Sequence, residues 1–204
     1  MALNPTSKEV ADNSLFESWL NGATGIPIGV IRRMDDADDW TFVITLHAMM
    51  EAVLNNMIIV KLGYLELREI VSKMDTGDRQ RGKLAWAKQL GLLTERERKF
   101  IRTLSELRNN IVHNIRNFEF SFQKWISEMK PADFKNFKDS MPESMPEGLE
   151  IDEGVFLPWE KAAREHPRDV TLTAATAIMV RAHNEEVLVP LFYGQLRSTP
   201  KESS

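Results

Sequence analysis

The run Trp40–Leu62, WTFVITLHAMMEAVLNNMIIVKL, decides the fold class. Its apolar residues, among them Phe42, Val43, Ile44, Leu46, Met49, Met50, Val53, Leu54, Met57, Ile58 and Ile59, fall on nearly every face of a 3.6-residue helix. A helix that is apolar all round must be covered all round, so it is the central helix of an all-α bundle. Asp38 or Asp39 is placed to cap its start, and Gly63 to stop it. The run also carries His47, Glu51, Asn55, Asn56 and Lys61, which makes it a poor membrane span. The expectation is therefore a cytoplasmic protein with no membrane partner.

Working outward, the pattern stays helical. Asn4-Pro5 opens a first helix that closes near Asn21-Gly22, and residues 22–34, with three glycines and Pro27, read as a loop or a short irregular segment. Residues 64–74 form another helical piece, ended by Asp75-Thr76-Gly77-Asp78. Leu84 to Leu90 is a further helix with Gly91 at its C′ position. Thr94-Glu95-Arg96-Glu97 is a capping box, and the helix it launches should run through Arg108 and His113 to about Phe118. Residues 129–158, with scattered prolines and acids, read as an acidic irregular linker, the alternative being a short hairpin within 146–157. A last helix spans roughly Val170 to Val187. The expected division is a helical bundle over 1–128, the acidic linker over 129–158, and a C-terminal helical segment over 159–204 that packs on the bundle.

Composition narrows the chemistry. The chain has 204 residues and no cysteine, which excludes disulfides, thiol nucleophiles and Cys-ligated zinc. No basic stretch followed by an apolar run opens the chain, so no secretion signal is expected. A net charge of −4 argues against a general nucleic-acid coat. The charge is uneven, however: Lys61 to Arg116 holds 13 Lys/Arg against 7 Asp/Glu. That surplus is either a solvated helix surface or a means of drawing a polyanion to this part of the chain. The five tryptophans (Trp19, Trp40, Trp86, Trp125, Trp159) are dispersed and read as core or interface anchors.

The chemistry-bearing stretch is Glu106-Leu107-Arg108-Asn109-Asn110-Ile111-Val112-His113-Asn114. An imidazole moves a proton near neutral pH and a guanidinium steadies phosphate oxygens, a minimal kit for work on a phosphodiester. On a helix, Phe100, Ile101, Leu104, Leu107, Ile111, Val112 and Ile115 make one apolar stripe, and Arg108 projects from within it. His113 lies about 140° away, on the polar side. A guanidinium on a core-facing stripe needs a partner. Either Glu51, the acid of the central helix, pairs with it, with His47 one turn earlier in the same polar island, or the stripe faces a second subunit and the two chains share a cleft. His47 and Glu51 read as a satisfied core pair rather than metal ligands.

The run from Lys83 through Leu-Gly-Leu-Leu and the capping box to Leu107-Arg108-Asn109-x-x-x-His113 resembles the C-terminal part of a HEPN-superfamily bundle. It is locally similar to the mannitol-operon-repressor-like branch, and Ala48-Met-Met-Glu51-Ala-Val-Leu is similar to the HEPN helix that carries a buried acid. The likeness spans about residues 38–118. It implies an antiparallel bundle that dimerises through the motif helices and, in catalytic members, a metal-independent ribonuclease without cofactor. Carried over, His113 is the general acid/base, Arg108 holds the scissile phosphate, and Asn109 orients the histidine or contacts phosphate. Glu51 positions Arg108, with His47 and Asn110 in supporting places. RNA and a cognate antitoxin or regulatory protein are the implied partners. Several HEPN toxins carry a tyrosine two residues after the histidine. Here that position is Ile115, a departure from the subgroup whose antitoxin modifies the tyrosine. Other members of the superfamily bind and regulate without catalysis.

Overall fold

The computed structural model describes residues 17–78, 80–113, 119–143, 145, 148–152 and 155–197. Helices dominate: α1 (17–24), α2 (Val30–Asp35), α3 (Asp39–Leu62), a 3-10 turn (Leu65–Leu67), α4 (Arg68–Ser72), α5 (Lys83–Gln89), α6 (Glu95–His113), α7 (Phe122–Ser127), α8 (Pro131–Lys138), α9 (Trp159–Glu165) and α10 (Pro167–Arg197). Between α8 and α9 sits one antiparallel hairpin, β1 (Gly148–Asp152) and β2 (Val155–Pro158). The chain is therefore a predominantly helical bundle, in keeping with the all-α reading.

The bundle is organised around α3. Phe42, Val43, Leu46, Met49, Met50, Val53, Leu54, Met57, Ile58 and Ile59 are all buried, and each such burial contributes about 1.5–3 kcal/mol before entropy is set against it. Asp38 caps the helix by accepting from Thr41 N–H at 2.9 Å. Gly63, at φ 73°, ends it by donating its N–H to the carbonyls of Ile59 and Val60. By length and composition α3 could also cross a bilayer, and just over half of that apolar window is buried by the rest of the chain. α6 runs back along it: His47 meets Ser105 midway, and Asp39, at the start of α3, accepts from Phe122 N–H just beyond α6. An aromatic knot then joins α3 to α7 and α8, with ring centroids 5.6 Å apart for Phe42–Phe122, 6.0 Å for Phe122–Trp125 and 5.4 Å for Trp125–Phe137.

α10 closes the bundle against α3 and α6. At its first turn, the Arg168 guanidinium lies 4.6 Å over the Phe42 ring. It donates to Asp39 Oδ1 at 3.2 Å and to the carbonyls of Met34 and Asp35. Further along, Arg181 meets the start of α6. Its Nε and Nη2 bind the two carboxylate oxygens of Glu97 at 2.6 and 2.7 Å, and Nη2 also reaches the Leu92 carbonyl at 2.8 Å. Glu97 is 1% exposed and serves the capping box as well, accepting from Thr94 N–H at 2.7 Å.

Several local expectations change. Residues 22–34 are not wholly a loop, because Gly29 (φ 76°) turns the chain into α2, which buries Met34. The piece at 64–74 splits into the 3-10 turn and α4. Residues 129–158 are not an irregular wrap. Pro131 starts α8, which buries only Phe134 and Phe137, and the hairpin that was the alternative at 146–157 forms with Leu149 opposite Leu157. Both elements are too short for a hydrophobic period to declare itself. The last helix begins at Pro167, a residue suited to a first turn, and continues to Arg197. Trp86 is 40% exposed, so it is not a core anchor. The expected starts near Asn4-Pro5 and end near Phe118 lie outside the described residues.

Candidate functional site

Two seams flank α6. On one side it meets α3. On the other it faces α7 and α8 across a trough whose lining includes Thr103, Glu106, Leu107, Asn110, Trp125 and Glu128. The residues expected to act together are distributed over both seams and the ridge between them.

On the α3 seam, His47 Nε2 lies 3.1 Å from Ser105 Oγ. The Ser105 hydroxyl donates its single proton to the Ile101 carbonyl at 2.9 Å, as serines on helices do. The imidazole must therefore be the donor in the His47–Ser105 bond, which sets the Nε2–H tautomer. Burial holds His47 below its ordinary value of 6.5. The nearby Glu51 carboxylate opposes that shift, and the positive charges of Arg108 and Lys83 add to it. His47 is thus neutral at physiological pH.

Arg108 follows Ser105 by three residues, on the same flank of α6. It is half-buried, and its Nη1 donates to Asn109 Oδ1 at 3.0 Å. The expected pairing with Glu51 is not made. Glu51 Oε1 instead accepts from Lys83 Nζ at 2.6 Å and from Thr76 Oγ1 at 2.8 Å. Antiparallel packing explains this. With Ser105 opposite His47, Arg108 lies toward the start of α3 and Glu51 toward its end, about 10 Å apart along the axis. Lys83, at the first turn of α5, reaches Glu51 from the other side. Its side chain is completely buried, and it also donates to the Ser72 carbonyl at 3.2 Å. Burial of Glu51 favours its neutral form, but the hydrogen bonds from Lys83 and Thr76 and the Lys83 charge outweigh this and hold its pKa below the usual value. Among the described residues Arg108 has no carboxylate within ion-pair distance.

The other motif residues point elsewhere. Asn109 is exposed beside Arg108, Asn110 lines the trough against α7 and α8, and His113 is exposed at the end of α6. The structure therefore pairs Arg108 with Asn109, sets both the Arg108 charge and the Glu51 carboxylate within electrostatic reach of His47, binds Glu51 to Lys83 and Thr76, and turns Asn110 and His113 away. Ser105, Thr76 and Lys83 were not foreseen. Ser105 could have been found as the residue one turn before Arg108. Lys83 carried no signal, because a lysine in a first turn normally points into water. Two buried polar atoms nearby in sequence, Asn55 Oδ1 and Arg102 Nε, have no hydrogen-bond partner among the described residues. The same residues hold no cluster of three or more His, Asp or Glu side chains suited to a metal ion.

No protein-family model, curated protein or solved structure matches the chain.

Proposed function

We propose that the chain is a HEPN-type endoribonuclease, metal-independent and working as a cytoplasmic homodimer through its α6 helices, in a bacterial toxin–antitoxin, stress or phage-defence system. The observation that carries this reading is the state of Arg108: a half-buried guanidinium bonded to its neighbour Asn109 and, among the described residues, to no carboxylate. A cation held in that way is ready for an external anion, and a phosphodiester fits a planar, fork-shaped donor. In this reading Arg108 holds the scissile phosphate and Asn109 orients it, while His113, brought by the dimer to the neighbouring site, serves as general acid/base. The ribose 2′-OH is the nucleophile, so the product ends in a 2′,3′-cyclic phosphate. RNA is the substrate, and a cognate antitoxin or regulatory protein is the natural partner.

The test is cleavage of mixed-sequence RNA in EDTA by wild type, Arg108→Ala and His113→Ala, with the dimer checked by light scattering. Cyclic-phosphate products from wild type and their loss in both variants are expected. Intact RNA with a folded dimeric wild type rejects the reading.

A second reading is favoured by the placement of His113. Arg108 and His113 lie on different faces of α6 within one chain, and the trough beside α6 is lined by Asn110 rather than by either of them. A non-catalytic HEPN module would use Arg108 to bind a phosphate or an acidic partner and to regulate it. In that case RNA binds without being cut, and Arg108→Ala alone weakens binding.

A further inference from the structure

We infer that His47 is the proton-accepting base beside Arg108, so that a single protomer carries both the phosphate ligand and the base on the α3–α6 seam. This rests on the ribonuclease reading and changes which histidine starts the reaction.

The argument is geometric. Ser105 spends its only proton on the Ile101 carbonyl and takes the Nε2–H of His47, so the imidazole lone pair resides on Nδ1. Among the described residues Nδ1 has no hydrogen-bond partner. Ser105 and Arg108 share one flank of α6, one turn apart, and the Arg108 charge lies close enough to His47 to act on its imidazole. His113 meets none of these conditions within its own chain. The orientation of a base by a second group that fixes its tautomer is a recurring catalytic device.

The step balances simply. With a phosphodiester on Arg108, Nδ1 of His47 accepts the proton of the 2′-OH as the O2′–P bond forms. The P–O5′ bond breaks, and the leaving 5′-oxygen takes a proton from His113, which the dimer brings to the site as the acid. His47 faces Glu51 on its own helix, Arg108 from α6 and Lys83 from α5. The two cations together with burial outweigh the carboxylate, so the base is already unprotonated at neutral pH. The rate should then rise along an acidic limb that lies below pH 6.5, the ordinary histidine value.

The experiment measures cleavage of a short single-stranded oligoribonucleotide from pH 4.5 to 8.5 for wild type, His47→Gln, His113→Ala and Arg108→Ala, with melting curves for each. His47→Gln keeps an N–H donor for Ser105 and is expected to slow cleavage by roughly 10²–10⁴-fold and to erase the acidic limb. Cleavage by His47→Gln at the wild-type rate with an unchanged pH profile overturns the role of His47. Loss of activity in Arg108→Ala in the same series leaves the ribonuclease reading standing. Failure of wild type to cut at any pH overturns both. An independent measurement covers the case in which His47→Gln does not fold: nitrogen NMR of the wild-type imidazole is expected to show Nε2 protonated and Nδ1 bare. The opposite tautomer overturns the proposal.

Discussion

The two halves of α6 treat charge in opposite ways. In its first turn, Glu97 is buried, bound on both oxygens by Arg181, and engaged in a capping box with Thr94. About three turns later Arg108, also drawn partly into the bundle, has only the side-chain amide of Asn109 among the described residues. The Glu97 end is filled with hydrogen bonds and the Arg108 end is left open. A buried charge with every hydrogen bond filled serves the fold, whereas a guanidinium without a carboxylate costs stability that only an outside anion can return.

The contrast predicts a graded series. Glu97→Ala strands Arg181 and removes a cap, and should cost about 3 kcal/mol; urea denaturation would show this as a lower midpoint, and a loss under 1 kcal/mol would break the comparison. Lys83→Met leaves Glu51 without its cation and should cost about 2–3 kcal/mol, less than Glu97→Ala because Glu51 is partly open to water. Adding Glu51→Gln should recover most of that loss, since the two residues act as one unit. Mild acid acts next, and on the open half. His47 binds its proton more weakly in the folded chain than in the unfolded one. Its contribution is fully present above pH 6.5 and is lost as pH falls through its lower folded value. Melting temperature should therefore decline over that range in wild type and less in His47→Gln. Smallest of all, Arg108→Ala should change stability by no more than about 0.5 kcal/mol. A large loss there would mean that Arg108 serves the fold after all.

What the sequence disclosed about these halves follows physical range. Asp38, Gly63, Gly91 and the Thr94–Glu97 box were readable because a cap is a contact between residues three or four apart. The Glu97–Arg181 pair spans 84 residues and left no local trace. Helical phase puts Glu51 one turn from His47 on α3, but phase states which face a residue occupies, not which neighbouring helix covers it. The sequence therefore pointed to Arg108 as the partner of Glu51, and nothing in it pointed to Lys83. Antiparallel register decided between them. The hairpin stood only as an alternative and α8 was missed for a different reason: each rests on two apolar side chains, Leu149 with Leu157 and Phe134 with Phe137. The same limit applies to the motif, whose Arg108–Asn109 contact was implicit in adjacency, while the approach of His47 required the α3–α6 docking.

Arg168 carries a consequence for biosynthesis. It joins the α2–α3 junction to the opening of α10, with partners up to 134 positions earlier in the chain. While the protein is being made, the carbonyls of Met34 and Asp35 and the carboxylate of Asp39 must wait for that residue, on the order of ten seconds at ordinary elongation rates. By the end of that interval α3, the apolar centre of the bundle, has long been synthesised and still lacks the helix that closes over it. The emerging protein thus passes through a stage in which α3 is covered by α4, α5 and α6, before α10 is there to close over it.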